Sequence, residues 1–535
     1  MGGKPRIANE LAGGASVAGW GNQKVCPLFS TLCPVSSLCA GLVYFMYDPS
    51  FLPCFRENVV KSFLMKPLRV LFLASEADPF IKVGGLGDVA GSLPYALQAL
   101  GPEIDVRLVI PFHAGIRAEG LTLIRETVFT IPRDGRDVPA QVFRTEVKGL
   151  PVYLISGAPV TGSLKVYDPN PLADGEKYVF FSIAALEMAR HMDWRPDIVH
   201  ANDWHTAPAI HSVRLRQSDP FWAGVRTVFS VHNLGYMGSE AEAALLAYGL
   251  PPVTEPLLPE WARRQPMGQA LWAADQIVAV SPSYAEEIQT PEYGYGLENY
   301  LQTQRQKVTG IVNGIDNALW NPASDSALAT TFTFETLAAR TQNKTSLQAQ
   351  FGLTEQPGAP LLAMITRFDF QKGVDIALNA LRMVTDLPWQ AILLGTGNAA
   401  LEAAARQLEA DFPHRVAAVI RFDAKISRQI YGAADIFLMP SRYEPCGLAQ
   451  MIAMRYGAIP LARATGGLRD TIADRRTGFL FTDASPAVMA ATFRRTLQAY
   501  QSPETWQSIQ QAAMEEDFSW EKSARQYVNL YKSLK

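Results

Sequence analysis

Between residues 361 and 462, five short apolar runs (361–366, 391–394, 416–421, 436–439 and 459–462) read as buried strands, each followed by a turn and a helix. Such regular alternation demands parallel strands joined by right-handed crossovers, hence a doubly wound α/β domain. An earlier series repeats the pattern, with strands at 68–74, 106–110, 198–201, 226–231 and 276–280. It is interrupted at 121–156, where apolar and polar residues alternate between turn signals such as Arg133-Asp134-Gly135, which indicates an antiparallel excursion. A chain of 535 residues exceeds the roughly 250–300 that one core supports, so two large domains are expected. Their expected bounds are 65–307 and 308–515, followed by a terminal segment 516–535.

The ligand-binding edge of such sheets is the carboxyl edge, where strands run into loops. Pro440-Ser441-Arg442-Tyr443-Glu444-Pro445-Cys446-Gly447-Leu448 occupies that place after the run 436–439. Helical spacing follows from Gly447 to Tyr456, and Pro445 suits a first helical position, which makes Glu444 a cap-like residue facing the first backbone N–H groups. Glu is a weak capping residue, so a ligand role for Glu444 competes with the capping one. Cys446 reads either as a small buried hydrophobe or as a thiol activated by the helix start. Arg367-Phe368-Asp369-Phe370-Gln371-Lys372-Gly373 stands at the same edge. Its two cations suit a diphosphate, Arg367 as a fork and Lys372 as a point charge. Thr465-Gly466-Gly467-Leu468 offers a further backbone cradle at a helix start.

In the earlier series, Lys82-Val83-Gly84-Gly85-Leu86-Gly87-Asp88-Val89 links a strand to a helix expected at 90–100, a phosphate-binding arrangement. The glycine spacing is one residue too long for a dinucleotide fingerprint. The second strand lacks a ribose-binding acid at its far end, which argues against an oxidoreductase. Two strands end in polar loops, His200-Ala201-Asn202-Asp203-Trp204-His205-Thr206 and His232-Asn233-Leu234-Gly235-Tyr236-Met237-Gly238. The His200/His205 spacing does not match a helical zinc signature; these groups hydrogen-bond a polyhydroxylated ligand, one another, or a structural network.

A net charge of -3 with 48% hydrophobic residues gives no broad electrostatic reason to bind nucleic acid or an anionic membrane. Of five cysteines only Cys446 lies beyond residue 60, so the body suits a reducing compartment. The apolar run 38–47 is too short to span a bilayer, which takes about 20 residues. Residues 1–64 lack sustained periodicity. They read as a disordered extension, a targeting peptide, or sequence upstream of a true start at Met65.

Taken in order, Lys82-Val83-Gly84-Gly85-Leu86, His232-Asn233-Leu234, Arg367 with Lys372-Gly373, Ser441 to Leu448, and the terminal Phe518-Ser519-Trp520 closely resemble the bacterial glycogen synthase and plant starch synthase family. The resemblance covers about 65–535. It implies the GT-B fold, two Rossmann-like domains facing across a cleft with the last helix crossing back to the first. It also implies transfer of glucose from ADP-glucose to the non-reducing end of an α-1,4-glucan with retention, without metal or other cofactor. By position, Arg367 and Lys372 would hold the diphosphate, and Lys82, Gly85 and Asp88 would approach it from the opposing domain. Glu444 would bind glucose hydroxyls, with Cys446, Gly447, Leu448, Thr465 and Gly466 around the donor, and His232 would lie near the reacting carbon. Asp203 and Asn313 would line the cleft, and Phe422 would stack on adenine. A retaining glycosidase wants a second carboxylate roughly 5 Å away. No second one presents itself beside Glu444, so a route in which the leaving diphosphate helps deprotonate the acceptor is expected, with Asp203 or Glu444 acting covalently as the alternative. The alternatives are a GT-B enzyme using UDP-glucose, a phosphorylase, or a catalytically silent glucan binder. The lack of an added amino-terminal module favours a bacterial, cytoplasmic enzyme; a plastid stroma is the alternative if 1–64 is a transit peptide.

Overall fold

The computed structural model describes residues 66–163 and 165–535; the readings of 1–64 and of Met65 lie outside the described residues. Pro67–Lys535 forms one compact unit built on two sheets.

The first sheet has nine strands in the order β3-β4-β5-β2-β1-β6-β7-β8-β9. These are β1 Leu68–Leu73, β2 Ile104–Pro111, β3 Ile124–Arg133, β4 Arg136–Val147, β5 Leu150–Gly157, β6 Ile198–Asn202, β7 Arg226–Val231, β8 Gln276–Ala279 and β9 Val308–Gly310. β1 and β6 are almost wholly buried because helices cover both faces of a parallel sheet. β3 and β4 instead alternate buried and exposed residues and pair antiparallel at one edge, the expected excursion. β9 pairs with β8, so the crossing to the second half comes after Gly310 and not at the expected boundary of 307/308.

The second sheet is wholly parallel, in the order β12-β11-β10-β13-β14-β15. Its strands are β10 Leu361–Ile365, β11 Gln390–Leu394, β12 Val416–Val419, β13 Ile436–Met439, β14 Ile459–Arg463 and β15 Phe479–Phe481. This 3-2-1-4-5-6 winding reverses direction between β10 and β13. In the first sheet the reversal falls between β1 and β6. The loops leaving these four strands carry Glu76, Asp203, Arg367 and Glu444.

The last helix, Trp520–Ser533, buries Trp520, Ala524, Tyr527, Val528 and Tyr531, a stripe at three- and four-residue spacing. The stripe joins the core of Leu68, Val70 and Phe72 on the first sheet. His200, deep in β6, secures it: its ring nitrogens bond Tyr531 Oη and Ser230 Oγ, each at 2.7 Å. His200 therefore belongs to a structural network. The helix expected over 90–100 is two, Gly85–Ala90 and Leu93–Ala99. They part at Gly91, where a Cβ would sit 2.4 Å from the Asp78 carbonyl, and the second restarts with Pro94 in its first turn.

Candidate active site

β10 and β13 are neighbours, so the loops that follow them meet. Gly373, at φ +66, lies where a Cβ would come 2.0 Å from the Pro440 carbonyl, and only glycine allows that approach. Gln371 ties the loops further, its carbonyl accepting from Arg442 N–H at 2.8 Å and its amide donating to the Tyr443 carbonyl at 3.1 Å. The Arg442 guanidinium is held bidentately by Asp375, 2.8 Å to each oxygen.

Within this frame Lys372 Nζ reaches both Glu444 oxygens, at 2.9 and 2.7 Å, and Ser441 Oγ donates to the second at 3.0 Å. Glu444 is only 5% exposed, so its charge is matched by this cation. It is not a helix cap. The helix begins at Ala449, after Gly447 has turned through φ +72, and neither Glu444 nor Pro445 lies in its first turn. Arg367 is 60% exposed and held by Asp369 through a short ion pair. The two expected diphosphate cations thus stand at one edge, each resting on a carboxylate.

Across the cleft, the glycine loop wraps an internal anion. Glu76, buried at the end of β1, accepts from the N–H groups of Val83 and Gly84 and from Tyr167 Oη at 3.0 Å. Burial raises its pKa. The amides of Val83 and Gly84 are therefore occupied. Gly85 is exposed at the helix start with nothing within 4 Å of a Cβ position, so backbone can be approached there. Lys82 Nζ lies 2.5 Å from Asp88, whose pKa is raised by burial despite the lysine.

Asp203 takes a left-handed backbone, φ 55, and its Oδ1 accepts from the N–H groups of His232 at 2.7 Å and Asn233 at 3.2 Å. Burial pushes its pKa up to about 7. His232 Nε2 contacts Asn202 Oδ1 at 2.9 Å, while Asn202 spends its amide hydrogen on the Leu73 carbonyl at 2.8 Å. That arrangement makes Nε2 the donor and leaves Nδ1 an acceptor. Burial lowers the His232 pKa to about 4, so the ring is neutral at pH 7. Cys446 is buried, and burial pushes its thiol up to about 12, which argues against a thiolate activated by the helix start.

Two cavities open on these groups. One, of about 780 Å³, takes in Glu76, Gly85, Asp203, His205, His232, Asn313, Lys372, Glu444, Cys446 and Gly447. The other, of about 810 Å³, takes in Lys82, Asp88, Tyr95, Tyr431 and Phe422. Val83, Arg367 and Leu448 line both. Phe422 is 88% exposed, a ring face left open among the described residues. Thr465 and Gly466 are not brought into either cavity. Their cradle is filled by Glu287, which accepts from Gly466 N–H at 2.8 Å and Thr465 Oγ1 at 3.0 Å.

Sequence reasoning missed Glu76, Tyr167 and Glu287. For Glu76 a signal existed, a polar run Ser75-Glu76-Ala77-Asp78 directly after a buried strand, as at Ser441 to Glu444. Among the described residues, no group of three or more His, Cys, Asp and Glu is placed to hold a metal ion, and no helix is long and apolar enough to cross a membrane.

Residues 69–303 match the family model of the starch synthase catalytic domain, and 347–513 that of glycosyl transferases group 1. A glycogen synthase of Clostridium perfringens is 37% identical over 481 residues, covering 88% of this chain and 99% of the relative. One from Bacillus cereus is 37% identical over 480 residues, covering 87% and 100%. Among solved structures, the catalytic domain of starch synthase IV from Arabidopsis thaliana, bound to ADP and acarbose, superposes with a TM-score of 0.79 at 33% identity, covering 88% of this chain and 99% of that one. A sucrose-phosphate synthase from Thermosynechococcus elongatus, at 20% identity and a TM-score of 0.56, shares the fold. With relatives this similar matched over nearly their whole length, the chain belongs to the glycogen synthase family of GT-B glycosyltransferases.

Proposed function

We propose that the protein transfers glucose from ADP-glucose to the non-reducing end of an α-1,4-glucan with retention of configuration. One observation carries the reading: the two cavities meet at Arg367, so a ligand with an aromatic base at Phe422 and a sugar at Glu444 would lay its diphosphate against that guanidinium. The Arabidopsis starch synthase is bound to ADP and acarbose, ligands of the kinds this reading requires.

The chemistry follows from the side chains. Arg367 and Lys372 offset the charge that develops on the departing diphosphate, and each can exchange its carboxylate partner for a phosphate oxygen without crossing the site. Glu444, once Lys372 turns to phosphate, accepts from glucose hydroxyls and holds the ring. His232, neutral with Nδ1 as an acceptor, suits a sugar hydroxyl and places no positive charge beside an oxocarbenium-like centre. The other carboxylates of the cavity at Glu444 are engaged: Glu76 and Asp203 each accept two backbone N–H groups, and Asp174 pairs with Lys177 at 2.6 Å and accepts from the Asp168 N–H. A covalent nucleophile is therefore not assigned. The leaving diphosphate takes the acceptor proton on the face it departs from. No metal or other cofactor enters this route, so activity should survive chelation. A cytoplasmic location is part of the reading, testable by cell fractionation. Competition between ADP-glucose and UDP-glucose on a glucan primer tests the donor: the expected outcome is a kcat/KM at least about tenfold higher for ADP-glucose. A preference for UDP-glucose would refute it.

A further inference from the structure

The cavity at Glu444 continues, on the first-sheet half, into a row of exposed aromatic rings. Tyr236, in the loop that leaves β7, lines the cavity and is 59% exposed. Tyr295, 48% exposed, lies against the residue before it, since a Cβ at Gly235 would stand 3.0 Å from the Tyr295 Cζ. Trp261, 40% exposed, lies in turn against Gly296, where a Cβ would stand 3.5 Å from the Trp261 Cζ2. Three loops, separate in the chain, thus bring one ring each to a single row that begins at the cavity.

The clustering is selective. Every other tyrosine and tryptophan among the described residues is buried or half-buried, so the exposed rings of these two kinds all stand here. Tyr295 also holds a left-handed backbone, φ 52, which a bulky side chain rarely adopts. Burial is not what it gains: the ring meets only the edge of Tyr443, the residue before Glu444, at 6.3 Å between centroids, and stays half open to solvent. Strain of this kind is kept where a side chain has to be presented. Tyrosine and tryptophan combine an apolar face with a polar tip, and the pyranose rings of a glucan ask for the same, a flat surface for their C–H faces and hydrogen-bonding edges for their hydroxyls. An exposed apolar patch that runs into a cavity marks a ligand groove.

We propose that Tyr236, Tyr295 and Trp261 form outer subsites for the acceptor glucan, which hold the sugars behind the reacting one and make a long primer a better acceptor than a short one. The inference rests on the glucan reading of the cavity at Glu444. A chain that enters with its non-reducing end leading leaves its remaining sugars at the mouth, and the row is the aromatic surface that adjoins it there.

The test compares maltoheptaose with maltotriose on the full-length protein, by calorimetric binding without donor and by initial rates with ADP-glucose. The parent should bind maltoheptaose at least about tenfold more tightly than maltotriose and show a similar ratio in kcat/KM. Tyr295→Asn, which suits a left-handed backbone, and Trp261→Ser should each cut that ratio at least about threefold, while the KM for ADP-glucose stays within about twofold. Trp261→Ser decides the matter if Tyr295→Asn fails to fold. Equal affinity of the parent for the two primers, a length preference untouched by both variants, or a donor KM that rises in step with the acceptor KM would overturn the subsites. Length-dependent binding that both variants weaken, with no glucosyl transfer, would leave the subsites standing and overturn the proposed activity instead.

Discussion

Two glycine turns that look alike in sequence, Lys82 to Val89 and Thr465 to Leu468, serve different ends. Both present backbone N–H groups at a helix start, and both are neutralised by a carboxylate of the chain itself. In the first, Glu76 comes from the adjacent strand end and occupies Val83 and Gly84, leaving Gly85 bare at the cavity. In the second, Glu287 arrives from the first-sheet half and closes the turn. Asp470 on the same helix also receives Ser283 Oγ at 2.7 Å, and Ser281 Oγ donates to the Pro445 carbonyl at 2.6 Å. The first turn therefore lines the cavity, and the second is a fastening between the two halves. Asp203 repeats the device at His232 and Asn233, where its carboxyl shapes a loop at the cavity wall.

The largest effect should come from the group that the second turn supports. Glu444→Ala should lower kcat by about a hundredfold or more with an unchanged circular dichroism spectrum, since it removes a sugar contact and frees Lys372. Near-normal turnover would remove Glu444 from the site. Gly85→Val tests the open turn. Nothing crowds the new side chain, so the melting temperature should hold while kcat/KM for the donor falls about tenfold or more. If both hold, the turn is not a ligand wall. Glu76→Gln leaves one acceptor for two N–H groups; we expect about 1–3 kcal/mol lost in stability and a smaller fall in kcat/KM than for Gly85→Val.

Asp203 gives a pH test. Its native pKa of about 7 lies above its ordinary 3.8, so the stability it contributes is present below the lower value and lost as pH rises through the upper one. Asp203→Asn keeps the Oδ1 acceptor and does not titrate. Denaturant unfolding should show the variant gaining on the parent between pH 4 and pH 7, by on the order of 3 kcal/mol, with the difference levelling off above about pH 8. A difference independent of pH would contradict the burial argument. The smallest catalytic effect belongs to Glu287→Ala. Donor KM should stay within about threefold while stability drops by about 1 kcal/mol. A rise in KM as large as that of Arg367→Ala would make the second turn a ligand site after all.

Much of this was legible in the sequence because strand-to-loop transitions are local. The runs 436–439 and 361–366 announced β13 and β10, and the polar residues beyond them were bound to lie at a carboxyl edge. Two-sheet winding followed from the alternation of strands and helices, and the returning last helix from the resemblance. What stayed hidden was pairing across distance. Lys372 meets Glu444 only because β10 and β13 are neighbours, and Glu287 reaches Gly466 across 179 positions. Local turn chemistry misled in one place. Pro445 reads as a helix start, yet the left-handed Gly447 places a further turn before Ala449. The bounds 65–307 and 308–515 cut the Val308–Gly310 strand from its sheet, because three residues of edge strand carry no period of their own.

The central claim, glucosyl transfer with retention in a site built from Arg367, Lys372 and Glu444, is tested most directly by the product. ADP-glucose labelled at the anomeric carbon, incubated with a maltooligosaccharide primer and followed by NMR, should yield a new α-configured 1,4 linkage, at a rate abolished by Glu444→Ala. A β-configured linkage, or donor consumed without extension of the primer, would contradict it.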